Sequence, residues 1–155
     1  MEKIVNLLKE KGLTISCAES LTGGSFASSI TNISGASKVF KGGIVTYTNE
    51  IKRDCLNVKE ETLNKFGAIS RECCLEMAQN AKSMFKSDLG IAFTGNAGPT
   101  ASENKPVGLV YIGISYLNDV NVYELHLSGD RISIKNQCIS CALNKIYDII
   151  FKDFE

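Results

Sequence analysis

The chain has 155 residues, 44% of them apolar and 22% charged, the composition of one ordinary domain that can bury its own core. Its 17 basic and 17 acidic side chains cancel, which excludes the basic footprint of a general nucleic-acid binder or a membrane-surface protein. No stretch reaches the roughly 20 apolar residues of a membrane span, and Met1 leads into a charged amphipathic segment rather than a secretory leader, so the expected location is the cytoplasm. A net charge near zero also favours self-association.

Residues 2–11 carry Ile4, Val5, Leu7 and Leu8 at helical spacing and stop at Gly12. Residues 13–17 alternate as a short strand. Ala18-Glu19-Ser20-Leu21-Thr22-Gly23-Gly24 is then a turn that opens a helix running to about Thr31. Such a turn holds a serine hydroxyl at the rim of a sheet. Its glycines let backbone N–H groups approach a ligand, and the helix N-terminus favours developing negative charge. That suits an acyl-transfer nucleophile with an oxyanion site, but an N-cap serine before a glycine turn reads the same way.

Residues 33–37 read as a loop, and 39–47 as a strand interrupted by Gly42-Gly43. Thr48 or Asn49 caps a short helix bearing Lys52 and Cys55. A serine needs a base to become a nucleophile. The single histidine, His126, lies in a late strand. The other option is a lysine whose pKa burial brings down to roughly 7–8. Tyr47, beside it, can relay the proton or bind an oxyanion. Read in isolation, the two are equally a solvated lysine and a half-buried strand-end tyrosine.

Residues 59–66 and 70–86 are two more helices, the second capped by Ser70 with Glu72 in its first turn. Residues 89–93 form a short apolar strand leading into Thr94-Gly95-Asn96-Ala97-Gly98-Pro99, and a polar loop, 100–105, follows. Glycine after an apolar strand of an α/β protein marks a ligand-binding loop at the strand's carboxyl end. The segment is neither a Walker loop nor a dinucleotide fingerprint. Its amides suit a phosphate or a carboxamide, although a Gly-Pro turn in a long loop also accounts for it. Residues 107–116 and 120–127 make an antiparallel hairpin. In Ser128-Gly129-Asp130-Arg131, Asp130 caps a helix, and Arg131 either grips a phosphate or enters a salt bridge. A long amphipathic helix runs to about Phe151. This order implies an α/β fold with a mixed sheet and helices on both faces, in one domain over residues 1–155.

The six cysteines are Cys17, Cys55, Cys73, Cys74, Cys138 and Cys141. Without a secretory leader they read as free thiols. Cys138-x-x-Cys141 lies on a helical pattern with Ile139, Ala142, Leu143 and Ile146 and has no second pair, and Cys73-Cys74 point to different sides of a helix. Neither a disulfide framework nor a metal site is expected.

Taken together, the motifs resemble the CinA C-terminal domain family, the nicotinamide-nucleotide amidohydrolases. Ala18 to Gly24 matches Ala-Glu-Ser-x-Thr-Gly-Gly, and Gly42 to Lys52 matches Gly-Gly-x-Val-x-Tyr-x-Asn-Glu-x-Lys. Gly67 to Ser70, Thr94 to Pro99, Lys105 to Gly108 and Gly129 to Arg131 supply the remaining pieces in order, so the likeness covers nearly the whole chain. The resemblance implies a three-layer α/β/α sandwich that forms homo-oligomers, a dimer first, and works without metal or organic cofactor. It implies hydrolysis of the carboxamide of nicotinamide mononucleotide, a pyridine nucleotide, to nicotinic acid mononucleotide and ammonia. The catalytic serine, tyrosine and lysine of the family fall on Ser20, Tyr47 and Lys52. Oxyanion and substrate contacts are expected from Thr22, Gly23 and Gly24, pocket contacts from Thr94, Gly95, Ala97 and Gly98, and a phosphate contact from Arg131. Larger members carry a further N-terminal domain resembling molybdopterin-binding proteins, which nothing here matches, implying a stand-alone form.

Two departures stand out. Thr100-Ala101-Ser102-Glu103-Asn104 replaces a glycine-rich acidic stretch, and Asn96 stands where an apolar residue is usual. Leu21 also replaces a frequent cysteine. The altered loop keeps two other readings open: an amidohydrolase for a different amide, or a catalytically silent nucleotide- or partner-binding module tied to the competence and DNA-damage links in the family name.

Overall fold

Side-chain alternation along the central strands decides the architecture. The computed structural model describes residues 1–154. In chain order it contains α1 (Glu2–Lys11), β1 (Ile15–Glu19), α2 (Ser25–Thr31), a 3-10 turn (Ala36–Lys38), β2 (Phe40–Val45), α3 (Asn49–Asp54) and α4 (Glu60–Phe66). These are followed by α5 (Arg71–Phe85), β3 (Leu89–Gly95), β4 (Leu109–Tyr116), β5 (Asp119–His126) and α6 (Arg131–Asp153). The strands form one sheet in the order β2-β1-β3-β4-β5. β2, β1 and β3 run parallel, and β4 and β5 add antiparallel. Helices cover both faces, making the expected three-layer α/β/α arrangement with a mixed sheet.

The helix signals act where the sequence places them. Gly12 ends α1 in the left-handed conformation at φ 67°, its N–H returning to Leu8 and Lys9. Thr48 rather than Asn49 caps α3, Ser70 caps α5 and Asp130 caps α6. The first strand starts two residues later than its alternation suggests, because the Thr14 N–H and hydroxyl are held by the Asp88 carboxylate. β1 also runs on to Glu19, paired with Val45 and Phe93, so Glu19 belongs to the strand and not to the turn. The loop read over 33–37 also runs into the short 3-10 turn.

The two faces of the sheet differ in side-chain size. Ile15, Cys17, Leu89, Ile91, Phe93, Val110, Ile112 and Ile114 point to one side and pack with α1, α2 and α6. On the other side the strands present Ala18, Ala92, Gly90 and Gly113 to α5. A Cβ on Gly90 would meet the Ala78 carbonyl and stand 2.7 Å from the Lys82 nitrogen, and one on Gly113 would stand 2.8 Å from the Cys74 carbonyl. α5 answers with its own small side chains, Cys74, Ala78 and Ala81, all fully buried. The backbone of α5 thus packs directly against the strands, with Cys74 in its first turns beside the Ala92 carbonyl of β3. Gly90→Ala should push α5 off the sheet and cost about 1–3 kcal/mol, read as a lower urea midpoint. An unchanged midpoint would mean that α5 is not held against the strands.

Candidate active site

Parallel pairing sets the first contact. Glu19 and Val45 are register partners at the ends of β1 and β2, so Ser20 and Thr46 leave the sheet side by side. The Ser20 N–H donates to the Phe93 carbonyl at 3.0 Å and the Thr46 N–H to the Glu19 carbonyl at 2.8 Å. Thr48 then turns the chain into α3, whose Lys52 N–H donates to the Thr48 carbonyl at 3.0 Å. Lys52 folds back under the turn and is 2% exposed. Its Nζ donates to Ser20 Oγ at 3.1 Å and to the Thr46 carbonyl at 2.7 Å.

No carboxylate among the described residues pairs with this amine. Burial holds the Lys52 pKa below the usual lysine value, and the neighbouring Cys73 and Glu103 act weakly the other way. A neutral amine has two N–H donors and one lone pair. With one N–H on the Thr46 carbonyl, the lone pair can face Ser20 Oγ. That is the state a general base for the serine requires.

Ser20 and Lys52 open into a cavity of about 260 Å³ at the carboxyl ends of the strands, where open α/β sheets bind ligands. Tyr47, Thr94, Gly95, Ala97, Gly98 and Arg131 line it as well. Thr94 is tied down, its hydroxyl donating to the Ala68 carbonyl at 2.8 Å. Tyr47 bonds neither to Ser20 nor to Lys52. Its exposed hydroxyl accepts from Arg131 Nη2 at 2.9 Å, while Arg131 Nη1 donates to the Gly98 carbonyl at 2.6 Å. Arg131 makes no salt bridge among the described residues.

Thr22, Gly23 and Gly24 do not line this cavity. The N-terminus of α2 is already occupied: the Glu19 carboxylate accepts the Phe26 N–H at 2.7 Å and the Ala27 N–H at 3.5 Å. Glu19 is 1% exposed. Burial pushes its pKa up, and the amide donors oppose that shift. Gly23 faces Lys135, and Gly24 faces Val45 and Glu19. His126 pairs with Glu124 on the exposed edge strand and does not line the cavity, so Lys52 and not His126 is the side chain that touches Ser20.

Leu21, Asn49, Ala68, Ile69, Asn96, Thr100, Ser102 and Glu103 complete the lining. Ala68 and Ile69 lie in a recognisable motif to which no role attached. Asn96 and the 100–104 loop were visible as departures. Glu103 carried no signal beyond being an acid in a polar loop. All six cysteines are free, and burial raises the thiol pKa of Cys17, Cys73, Cys74 and Cys138. Among the described residues no helix is long and apolar enough to cross a membrane.

Residues 1–150 match the CinA C-terminal domain. The chain belongs to the CinA C-terminal domain family. A protein of Bacillus cytotoxicus named as competence-damage inducible is 47% identical over 146 residues, and one of Bacillus cereus is 45% identical. Each match takes in 94% of this chain but 35% of the relative, so the chain spans about a third of the length of these curated relatives. Among solved structures, a CinA superfamily protein of Klebsiella pneumoniae superposes with a TM-score of 0.95 at 26% identity, covering 97% of this chain and 95% of its own. A competence/damage inducible protein of Agrobacterium tumefaciens gives 0.90 at 40% identity, covering 94% and 90%. The five-stranded mixed sheet is the CinA fold.

The buried amine has a thermodynamic consequence. Its folded pKa lies below its unfolded value, so between the two the unfolded chain binds the extra proton. The destabilisation is greatest below the folded pKa and fades as pH rises to the ordinary lysine value. Lys52→Met should therefore raise the thermal midpoint at neutral pH, and that advantage should shrink as pH increases. Melting curves over a pH series check this, and an advantage that grows with pH would show that the amine is stabilised in its charged form.

Proposed function

We propose that this CinA-family domain hydrolyses the carboxamide of nicotinamide mononucleotide, releasing nicotinic acid mononucleotide and ammonia through a serine acyl-enzyme. The observation that carries the reading is the 3.1 Å contact between Ser20 Oγ and a buried Lys52 amine whose pKa is depressed. Ser20 Oγ attacks the amide carbon while its proton passes to Lys52. The tetrahedral intermediate collapses as the C–N bond breaks, and the Lys52 ammonium protonates the departing nitrogen. Water then attacks the ester with Lys52 again as base, and the acid leaves as Ser20 recovers its proton. Leu21, Ala97 and Gly98 line the cavity, and their amides donate to no other group among the described residues. They are the better oxyanion donors now that Glu19 occupies the end of α2.

Arg131 uses one N–H each on Tyr47 and Gly98. The rest of its five donors remain for a phosphate. In this reading Tyr47 orients Arg131 and does not relay the serine proton. Membership of a family whose relatives are named for competence and damage induction leaves room for a module that binds a nucleotide without turnover. A buried amine argues against that rival, because an apolar residue at position 52 would serve a binder with less loss of stability.

Purified protein without added metal should release ammonia from nicotinamide mononucleotide faster than from nicotinamide or the dinucleotide. The rate should rise with pH through the depressed Lys52 pKa and then level, because only the neutral amine accepts the serine proton. Ser20→Ala should lose about three orders of magnitude or more with an unchanged circular dichroism spectrum. Retained activity in that variant would remove Ser20 as nucleophile. Equal rates with free nicotinamide would remove the nucleotide as substrate.

A further inference from the structure

The two departures from the family pattern, Asn96 and the 100–105 loop, are one device. Asn96 is 5% exposed, and its carboxamide is saturated by the loop. Nδ2 donates to the Ser102 and Lys105 carbonyls at 3.1 and 2.9 Å. Oδ1 accepts from the Ser102 N–H and hydroxyl at 3.2 and 2.9 Å. Two donors and two acceptors are all that this side chain has. The held loop keeps Glu103 and Asn104 at φ 58° and 53°, a left-handed conformation that residues with a Cβ avoid unless their surroundings enforce it.

That conformation aims the Glu103 carboxylate at the segment before α5. Oε2 accepts the Ala68 N–H at 2.9 Å, and Oε1 accepts the Ile69 N–H at 3.0 Å and Lys105 Nζ at 3.2 Å. Gly67 leaves the room for it, since a Cβ there would collide with the carboxylate. A carboxylate has about four lone-pair sites. Three are used, and the spare one is on Oε2. Glu103 is also the only carboxylate among the lining residues, which include the cationic Arg131. A phosphate would be repelled by it and drawn to Arg131. A sugar hydroxyl is a donor that a spare carboxylate oxygen binds well.

We propose that Glu103 accepts a hydrogen bond from a ribose hydroxyl of the ligand and so selects ribosyl amides. Asn96 is the positioning residue that holds Glu103 in place. The inference rests on the nucleotide reading above. Its test is calorimetric binding to Ser20→Ala protein, which binds without turnover, comparing nicotinamide mononucleotide with its 2′,3′-dideoxy analogue. The nucleotide should bind about tenfold more tightly than the analogue, as a charge-assisted hydrogen bond provides. Adding Glu103→Ala or Asn96→Leu should bring the ratio close to one. A ratio taken on one sample cancels any loss of folded protein, and a loop with a merely structural role would weaken both ligands alike. Equal affinities with Glu103 present, or a ratio unchanged by Glu103→Ala, would overturn the assignment and leave the hydrolysis reading intact. The expected ratios without ammonia release from the Ser20 protein would uphold Glu103 and sink hydrolysis. Binding of neither ligand would sink both.

Discussion

A lysine buried without a carboxylate is the constraint on which the rest of this structure depends. Such an amine is tolerable when it sheds its charge and finds partners for the N–H groups it keeps. The Thr46 carbonyl takes one N–H and Ser20 Oγ lies 3.1 Å from Nζ, within reach of its lone pair, and both groups sit at the ends of adjacent parallel strands. Their spacing is set by the Glu19–Val45 register and not by flexible loops. A slip of one residue in β2 would move the Thr46 carbonyl away and turn the β2 side chains to the opposite face. The sheet register therefore fixes the geometry of the amine, and the amine's surroundings fix its protonation.

Keeping water from that amine is the work of the second layer. Cys73, in the first turn of α5, is fully buried beside Lys52. α5 reaches this position because the strands beneath it present glycine and alanine where the opposite face presents isoleucine and phenylalanine. The asymmetry has a functional sense. Bulk on the α1, α2 and α6 side supplies most of the apolar burial. Thinness on the other side brings the start of α5, with Ala68 and Ile69 just before it, over the strand ends. The same residues that shorten the distance between layers thus close the cavity wall.

Periodicity and caps made most of the fold legible, with Gly12, Ser70 and Asp130 acting as read, while the cap of α3 fell to Thr48, one of two candidates, and the 3-10 turn lay within a stretch read as loop and strand. Boundaries moved where a long-range bond intervened, as at Thr14 with Asp88. The site was legible in a different way. Nothing local in the chain states that residues 20 and 52 touch, since one contact across two strands and a helix decides it, and the motif resemblance rather than spacing pointed there. The glycines after Ser20 looked like an anion site because such turns often are. The rival for the helix end was Glu19, one residue earlier in the sequence, and assigning it to the turn instead of the strand hid its role. Tyr47 and Arg131 lie 84 residues apart, and their bond has no sequence signature.

The loop after Pro99 shows how a departure from a family pattern can preserve order by other means. Glycines would reach the left-handed conformations at 103 and 104 without strain but would leave the loop mobile, and a ligand would then have to supply the ordering free energy. Here the side chains do it beforehand. Asn96 saturates its carboxamide on the loop, Glu103 takes two amides, and Lys105 returns to the Phe66 and Ile69 carbonyls. Each anchor alone is an ordinary polar contact, yet together they over-determine a backbone that none could hold singly. An apolar side chain at position 96 would leave the Lys105 carbonyl and the Ser102 N–H without partners, and the Ser102 carbonyl with the Lys105 N–H alone. This glycine-free loop therefore depends on Asn96, whose loss would remove the anchor of the cavity wall.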